Sequence, residues 1–305
     1  MDAVDNRSEI RDFLTTRRAK LTPDQVGLPA GGGRRRVPGL RREEVAALAG
    51  VSTEWYTRLE KGHINGVSDE VLGAVARALH LDDAEQAYLF DLARTARLSH
   101  RPGQDARTGR RRRQAHLPPR VQWMLDSMTD AAAFVVNGRR DILAINTLGR
   151  ALYSPMFADD RRPANIARYT FLDTGAPDFL PDWDGAANVT VALLRTEAGR
   201  DPHNKDLRDI IGELSTLSDE FRARWAAHNV RIHHAGKKQF KHPDVGLLDV
   251  VYHSFPLAAD EDRGLSLTIY SAEPGTATED RFKLLASWAA TNSPTVAGAD
   301  DLDRG

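Results

Sequence analysis

Residues 40–61 read Leu40-Arg41-Arg42-Glu43-Glu44-Val45-Ala46-Ala47-Leu48-Ala49-Gly50-Val51-Ser52-Thr53-Glu54-Trp55-Tyr56-Thr57-Arg58-Leu59-Glu60-Lys61, and their pattern decides the fold of the N-terminal part of the chain. Small Ala46 stands four residues before Gly50, and β-branched Val51 follows it. Two helices that cross closely need a small residue at their contact, and the turn between them needs a positive φ that glycine adopts at little cost. Ser52 is placed to cap the second helix. The spacing predicts one helix over Arg41 to Ala49, with Val45 and Leu48 inward, and a second over Thr53 to Lys61, with Tyr56 and Leu59 inward. Ser52, Thr53, Glu54, Thr57, Arg58 and Lys61 are left on or near the outer face. Short polar side chains near a helix N-terminus can reach base edges in the major groove of DNA, while Arg and Lys take phosphates or guanine. Arg41 and Arg42 start the preceding helix, where it would cross the DNA backbone. The plainer alternative is a hairpin inside an ordinary helical bundle, with Gly50 as a C-cap and the arginines solvated.

Working outward, Glu9 to Lys20 carries Ile10, Phe13 and Leu14 on one helical face. A break follows at Thr22-Pro23 and Leu28-Pro29, then a basic glycine loop from Ala30 to Arg36, closed by Pro38-Gly39. Downstream, Ser68 is an N-cap with Asp69 and Glu70 in the first turn, and Val71, Leu72, Val75 and Leu79 form a stripe. Asp82 or Asp83 starts a last helix that runs to about Leu98 with Tyr88, Leu89 and Leu92 inward. Residues 1–98 therefore form an all-α domain of five helices. Apolar periodicity stops between Ser99 and Pro119, where Arg110 to Arg113 sit in a basic linker. Residues 120–290 read as an α+β domain, and 291–305 as a flexible tail. Strand patterns fall at Ala132 to Val136, Asp141 to Ile145, Val230 to His234, Leu247 to Phe255 and Leu265 to Tyr270. Helical patterns fall at Leu148 to Phe157, Asn188 to Ala198, Asn204 to Leu217, Asp219 to His228 and Glu279 to Ala289. A domain of this length buries roughly 70 % of its unfolded surface.

Composition narrows the function classes. The chain has 305 residues, 41 % apolar and 28 % charged, and no run of eighteen apolar residues. This predicts a globular cytoplasmic protein without a membrane span, and the acidic start Met1 to Asp5 is unlike a signal peptide. Zero cysteines exclude disulfides, thiolate metal sites and a cysteine nucleophile. The net charge of −1 hides an asymmetry: residues 1–120 hold 22 Lys and Arg against 16 Asp and Glu, leaving −7 on the remainder. A basic half suits a polyanion, and an acidic remainder discourages adhesion to DNA over the whole surface. No catalytic constellation or cofactor motif is found. The chain has no Gly-x-Ser-x-Gly elbow, and Gly31-Gly32-Gly33 lacks the Lys-Ser/Thr of a phosphate-binding loop. His233, His234, His242 and His253 match no zinc spacing, so they read as strand or surface histidines rather than metal ligands. The runs Arg34 to Arg36 and Arg110 to Arg113 read as solvated charge that could also meet DNA phosphates.

The string Pro38-Gly39-Leu40-Arg41-Arg42-Glu43-Glu44-Val45-Ala46-Ala47-Leu48-Ala49-Gly50-Val51-Ser52, followed by Trp55-Tyr56-Thr57-Arg58-Leu59-Glu60, resembles the XRE-type helix-turn-helix transcription regulators of the MmyB-like branch. The likeness extends through Val26-Gly27-Leu28-Pro29 and Val71 to Leu79, and departs from the family pattern at Gly62 to Val67. Past the linker it continues in Asp141 to Asn146, Pro181-Asp182-Trp183, Gly212-Glu213-Leu214, Phe221 to Trp225 and His242 to Gly246. The resemblance implies a lambda-repressor-like domain that binds double-stranded DNA, joined to a PAS-like domain with a hydrophobic cavity. A long-chain fatty acid is the kind of ligand it implies.

From the residues themselves, Phe134, Trp183, Trp225, Tyr252 and Tyr270 are candidates to line such a cavity, although aromatics in a mixed domain usually serve as core. A carboxylate ligand needs a cation or hydroxyl, for which Arg168 beside Tyr169 is one option. One hairpin touches few bases, and each base pair contributes about 1–3 kcal/mol of discrimination, so a homodimer on a pseudo-palindrome is expected. The alternative for the C-terminal domain is a protein-interaction or dimerisation module without a ligand.

Overall fold

The computed structural model describes residues 6–28, 39–64, 66–99, 117–158, 164–201, 204–227, 235–257 and 264–292. The N-terminal residues form α1 (Asn6–Lys20), a 3-10 turn (Asp24–Val26), α2 (Arg42–Ala49), α3 (Thr53–Glu60), α4 (Asp69–Ala78) and α5 (Asp83–Ser99). Local chemistry sets the boundaries. Ser52 Oγ accepts from Trp55 N at 3.1 Å, and Ser68 Oγ accepts from Val71 N at 3.4 Å. Gly50 takes φ 67°, with its N–H donating to Ala47 O and the Val51 N–H to Ala46 O, the paired bonds of a Schellman turn. Ile10, Phe13, Leu14, Val45, Tyr56, Leu59, Leu72 and Tyr88 are buried in one core.

Leu48 corrects the expected α2 stripe, since it is 38 % exposed while Val45, Ala46 and Ala49 are buried. The contact face is turned toward the two alanines, whose small side chains let α2 approach α3 and α4 closely.

The C-terminal residues begin with α6 (Pro119–Asp126), then β1 (Ala132–Val136), β2 (Ile142–Ile145), α7 (Thr147–Leu152) and a 3-10 turn (Ser154–Phe157). There follow α8 (Ile166–Leu172), α9 (Ala176–Phe179), α10 (Trp183–Arg200), α11 (Lys205–Leu217) and α12 (Asp219–Ala226). The chain then returns to the sheet with β3 (Ala235–His242), β4 (Gly246–Pro256) and β5 (Ser266–Ala272), and closes with α13 (Ala277–Asn292). The strands pair antiparallel in the order β2-β1-β5-β4-β3. Register places Phe134 opposite Thr268 and Tyr252 opposite Tyr270. Alternation then separates two faces. Phe134, Phe240 and Tyr270 join the core shared with α7, α9 and α13, whereas Ala133, Val135 and Leu267 pack against Val121 and Leu125 of α6.

Several expectations are adjusted. The stretch Leu148 to Phe157 divides into α7 and a 3-10 turn because Pro155 lacks the N–H that would continue the helix. The expected strand at Val230 to His234 lies outside the described residues, as do residues 29–38, 100–116 and 293–305 with both arginine runs. The strand that fills this place in the order is β3, whose Lys237, Lys238 and Lys241 obscure its alternation; lysines are common on edge strands, where they discourage pairing with another chain. α6, α8 and α9 are additional to the expected helices, and α10 extends the expected helix in both directions, capped by Asp182 Oδ1 accepting from Gly185 N. No helix among the described residues is long and apolar enough to cross a membrane.

Candidate functional site

The outer face of α3 presents Ser52, Thr53, Glu54, Arg58 and Lys61 to solvent, with Thr57 half-buried between them. Burial of Tyr56 and Leu59 fixes which side faces out. Arg41 is exposed at the N-cap of α2, where its backbone N–H donates to Glu44 Oε2 at 2.7 Å. Arg42 is not a free backbone-gripping cation as expected. Its Nε donates to Glu60 Oε1 at 2.8 Å, and it ties the start of α2 to the end of α3. Glu60, only 1 % exposed, is also bound by Arg18 through Nε at 2.7 Å. Burial alone would raise the Glu60 pKa, but hydrogen bonds and charge from Arg18 and then Arg42 hold it below the usual carboxylate value.

His63 follows α3 and meets Arg7 of α1 at 2.7 Å. Partial loss of hydration, followed by the charges of Arg7, Arg58 and Lys61, pushes its pKa down. The end of the outward helix is thus a basic cluster drawn from two elements, as a phosphate-facing surface requires. Arg7 escaped the sequence reading because it lies in another helix.

In the C-terminal domain, a cavity of about 1220 Å³ lies between one face of the sheet and α10. Its volume exceeds the usual range of small-molecule sites, roughly 300–1,000 Å³. Tyr252, Tyr270, Ser254 and Thr268 line it from the strands, and Thr190 and Leu193 from the helix. Ala87 and Asp91 of α5 also border it, so the cavity touches the DNA-binding half of the chain.

Of the candidates to line it, Tyr252 and Tyr270 do so, while Phe134, Trp183 and Trp225 pack elsewhere. Phe134 sits in the core 5.8 Å from the Tyr270 ring. Trp183 donates its indole N–H to Thr170 O at 2.8 Å, and Trp225 stacks on Phe221. The Arg168–Tyr169 option is corrected. The Arg168 guanidinium is bound to Glu213 at 2.8 Å, Tyr169 is a buried core residue, and neither lines the cavity. His242, buried, lies within 3.0 Å of Ala151 O and 3.2 Å of Ser154 Oγ, and His253 stacks on Phe255. Among the described residues no cluster of three His, Asp or Glu could hold a metal.

The cations that do line the cavity are Arg140, Arg200, Lys237 and Lys238, of which Arg140 has the most unusual setting. It follows the β1–β2 turn, where Asn137 Oδ1 accepts from the N–H groups of Arg139 and Asp141 at 3.0 Å each. Its backbone is left-handed, φ 69°, a conformation hairpin loops usually give to glycine or asparagine. The Arg140 Nε is buried without a hydrogen-bond partner, and burial pushes the guanidinium pKa down. Tyr153 and Tyr270 also line the cavity, and their hydroxyls meet at 3.1 Å. Asn137-Gly138 is a legible hairpin signal, but nothing local shows where the next arginine points.

An outward helix set on a glycine turn with a basic edge, joined to a domain built around a cavity, defines a DNA-binding transcription regulator with a ligand-binding domain. Residues 9–89 match the family model of a helix-turn-helix domain, and residues 117–285 match that of the MmyB-like transcription regulator ligand binding domain. The chain belongs to the family of MmyB-like transcription regulators. No curated protein matches it.

Proposed function

We propose that the chain works as a homodimer on a pseudo-palindromic operator, and that a hydrophobic, fatty-acid-like molecule in a PAS-like C-terminal domain sets its affinity for DNA. The carrying observation is the cavity of about 1220 Å³, bordered by the sheet, by α10 and by α5 of the DNA-binding half. A filled core would instead favour a protein-interaction module. The DNA-binding domain spans 1–98, the basic linker 99–119 and the ligand domain 120–292, since α13 carries it two residues past the expected boundary at 290. Such a regulator belongs in the cytoplasm at the nucleoid, and it needs no catalytic step.

On DNA, α3 enters the major groove with Thr53, Thr57 and Arg58 toward base edges, while Arg41 and Lys61 meet phosphates. Exposed apolar side chains such as Trp123, Leu284 and Trp288 offer surface to a second copy. Half-sites then lie roughly 34 Å apart.

Extraction of the purified, denatured chain into organic solvent, read by mass spectrometry, tests the ligand. A lipid near one per chain, whose addition shifts DNA affinity, is expected. An empty extract together with DNA affinity indifferent to added fatty acids would reject the reading. For the groove contacts, Thr57→Ala should weaken operator binding but not random DNA, whereas Arg41→Ala should weaken both and flatten the salt dependence. Equal losses for Thr57→Ala on both DNAs would remove it from base reading. Light scattering that found a monomer both free and on DNA would reject the dimer.

A further inference from the structure

We infer that Arg7 and His63 form a proton-linked phosphate clamp beside α3, in which a DNA phosphate replaces the contact between them and draws a proton from solvent onto His63. This rests on reading α3 as the helix that enters the major groove. It adds how the chain holds the strand at the edge of the groove and how pH sets that grip.

The contact between the two side chains selects one protonation state of the ring. Arg7 Nη2 lies 2.7 Å from His63 Nδ1 and 2.9 Å from Nε2. A guanidinium has only N–H donors, so it bonds to an imidazole only where a ring nitrogen carries no proton. The free protein therefore holds the neutral ring. Its surroundings act in the same direction. Partial loss of hydration, and then the positive charges of Arg7 from α1 and of Arg58 and Lys61 from α3, push the His63 pKa down.

The backbone is shaped to bring the pair together. Gly62 takes φ 88°, and a Cβ there would stand 2.5 Å from Arg7 O and 2.9 Å from Arg7 Cα. Only a residue without a side chain lets the turn after α3 lie this close to the start of α1. The Gly62 N–H donates to Leu59 O at 2.8 Å and the His63 N–H to Arg58 O at 3.0 Å, which closes the turn onto the end of the helix. Arg7 and His63 are both exposed there.

The length of α3 places a phosphate at this point. Its eight residues span about 12 Å at 1.5 Å per residue, close to the roughly 12 Å width of the major groove. Groups just beyond its C-terminal end stand at the phosphates that flank the groove. A phosphate oxygen there accepts from the Arg7 guanidinium and, once the ring has gained a proton from the buffer, from the imidazolium as well. Its negative charge raises the pKa that the neighbouring cations hold down. Linkage then gives the sign. The bound state takes up the proton more readily than the free state, so DNA affinity rises as pH falls and levels off once pH lies below the free-state value.

Titration of the full chain with random-sequence duplex DNA tests the clamp, because phosphate contacts carry no sequence information. Affinity should rise roughly three- to tenfold between about pH 8 and pH 5, the window in which an imidazole titrates. Calorimetry in two buffers of different ionisation enthalpy should show net proton uptake on binding. His63→Gln should remove both the pH dependence and the uptake, while binding like the wild type at the alkaline end. Arg7→Gln should weaken binding and reduce the uptake, since the free ring then loses the contact that keeps it neutral; a merely structural Arg7 would leave the uptake unchanged. Wild-type affinity that stayed constant across the window would overturn the clamp and leave α3 a DNA-reading helix. A pH dependence retained by His63→Gln would overturn it as well. Failure to bind duplex DNA at any pH would overturn the clamp and the DNA reading together.

Discussion

Glu60 closes α3 with a carboxylate held by Arg18 from α1 and by Arg42 from α2, so one acidic side chain fixes the position of the outward helix against both neighbours. Glu60→Gln would leave two guanidinium groups facing a neutral amide. Breaking a buried pair costs roughly 3–5 kcal/mol, and the partial exposure of Arg42 puts this case near the lower figure. Chemical denaturation at neutral pH should therefore show a loss of about 3 kcal/mol. The pH dependence follows in sign. The folded pKa of Glu60 is depressed, because Arg18 and Arg42 outweigh the burial that would raise it. The stabilisation is then complete above the unfolded value, about 4.3, and is lost as pH falls through the lower folded value. The stability gap between wild type and Glu60→Gln should be constant through neutral pH and narrow only in acid. A gap that narrowed near pH 7 would assign the effect to another group. Arg17 and Glu85 form a contrasting pair: burial lowers the first pKa and raises the second, so desolvation outweighs their 2.8 Å contact.

The helix-turn-helix was legible because everything that defines it is local. Gly50, Ser52 and the Tyr56–Leu59 spacing lie within ten residues, and the helices differ from expectation only at their ends and in the rotation that exposes Leu48. Gly50→Ala isolates the turn. An added Cβ meets nothing within 4 Å, so the whole cost is the left-handed backbone, about 1–2 kcal/mol. A thermal melt should show that loss, and DNA affinity should fall with it as the angle between α2 and α3 relaxes. An unchanged melting temperature would mean that φ 67° is not enforced by the fold. The cavity elements were less legible, for a physical reason. α10 buries Val191, Leu194 and Arg195 on one side and lines a cavity with Thr190 and Leu193 on another, so its sequence carries no single apolar stripe. β3 hides its alternation under lysines, and Arg140 reaches the cavity from a turn whose local sequence does not show where the side chain points. Aromatic content could not separate Tyr252 and Tyr270, which line the cavity, from Phe134, Trp183 and Trp225, whose rings serve packing.

Across the whole molecule, α10 belongs to two interfaces at once. One side walls the cavity through Thr190, Leu193 and Glu197, and another docks on the DNA-binding domain. There Arg195, fully buried, pairs with Glu9 of α1 at 2.7 Å and lies 4.1 Å over the Trp225 ring. Tyr88 of α5 donates to the same Glu9 at 3.0 Å, and Thr95 donates to Gly199 O at 3.1 Å. A ligand that favours one position of α10 must therefore favour one placement of α1 and α5. Such linkage is reciprocal and typically amounts to 5–150-fold in affinity. Gly199 gives a way to cut it. A Cβ at this position would stand 2.5 Å from Tyr88 Cε2, so Gly199→Ala must displace the Tyr88 ring and with it the bond to Glu9. Neither the cavity corner at Arg140 nor the outer face of α3 includes Gly199 or Tyr88, so ligand binding and DNA binding measured separately should persist. Amide exchange should rise where α5 meets α10, and dodecanoate should no longer change operator affinity. If the variant kept the full response to ligand, the signal would have to pass through the linker or between protomers, and the α10 interface would be a fixed joint without a part in transmission.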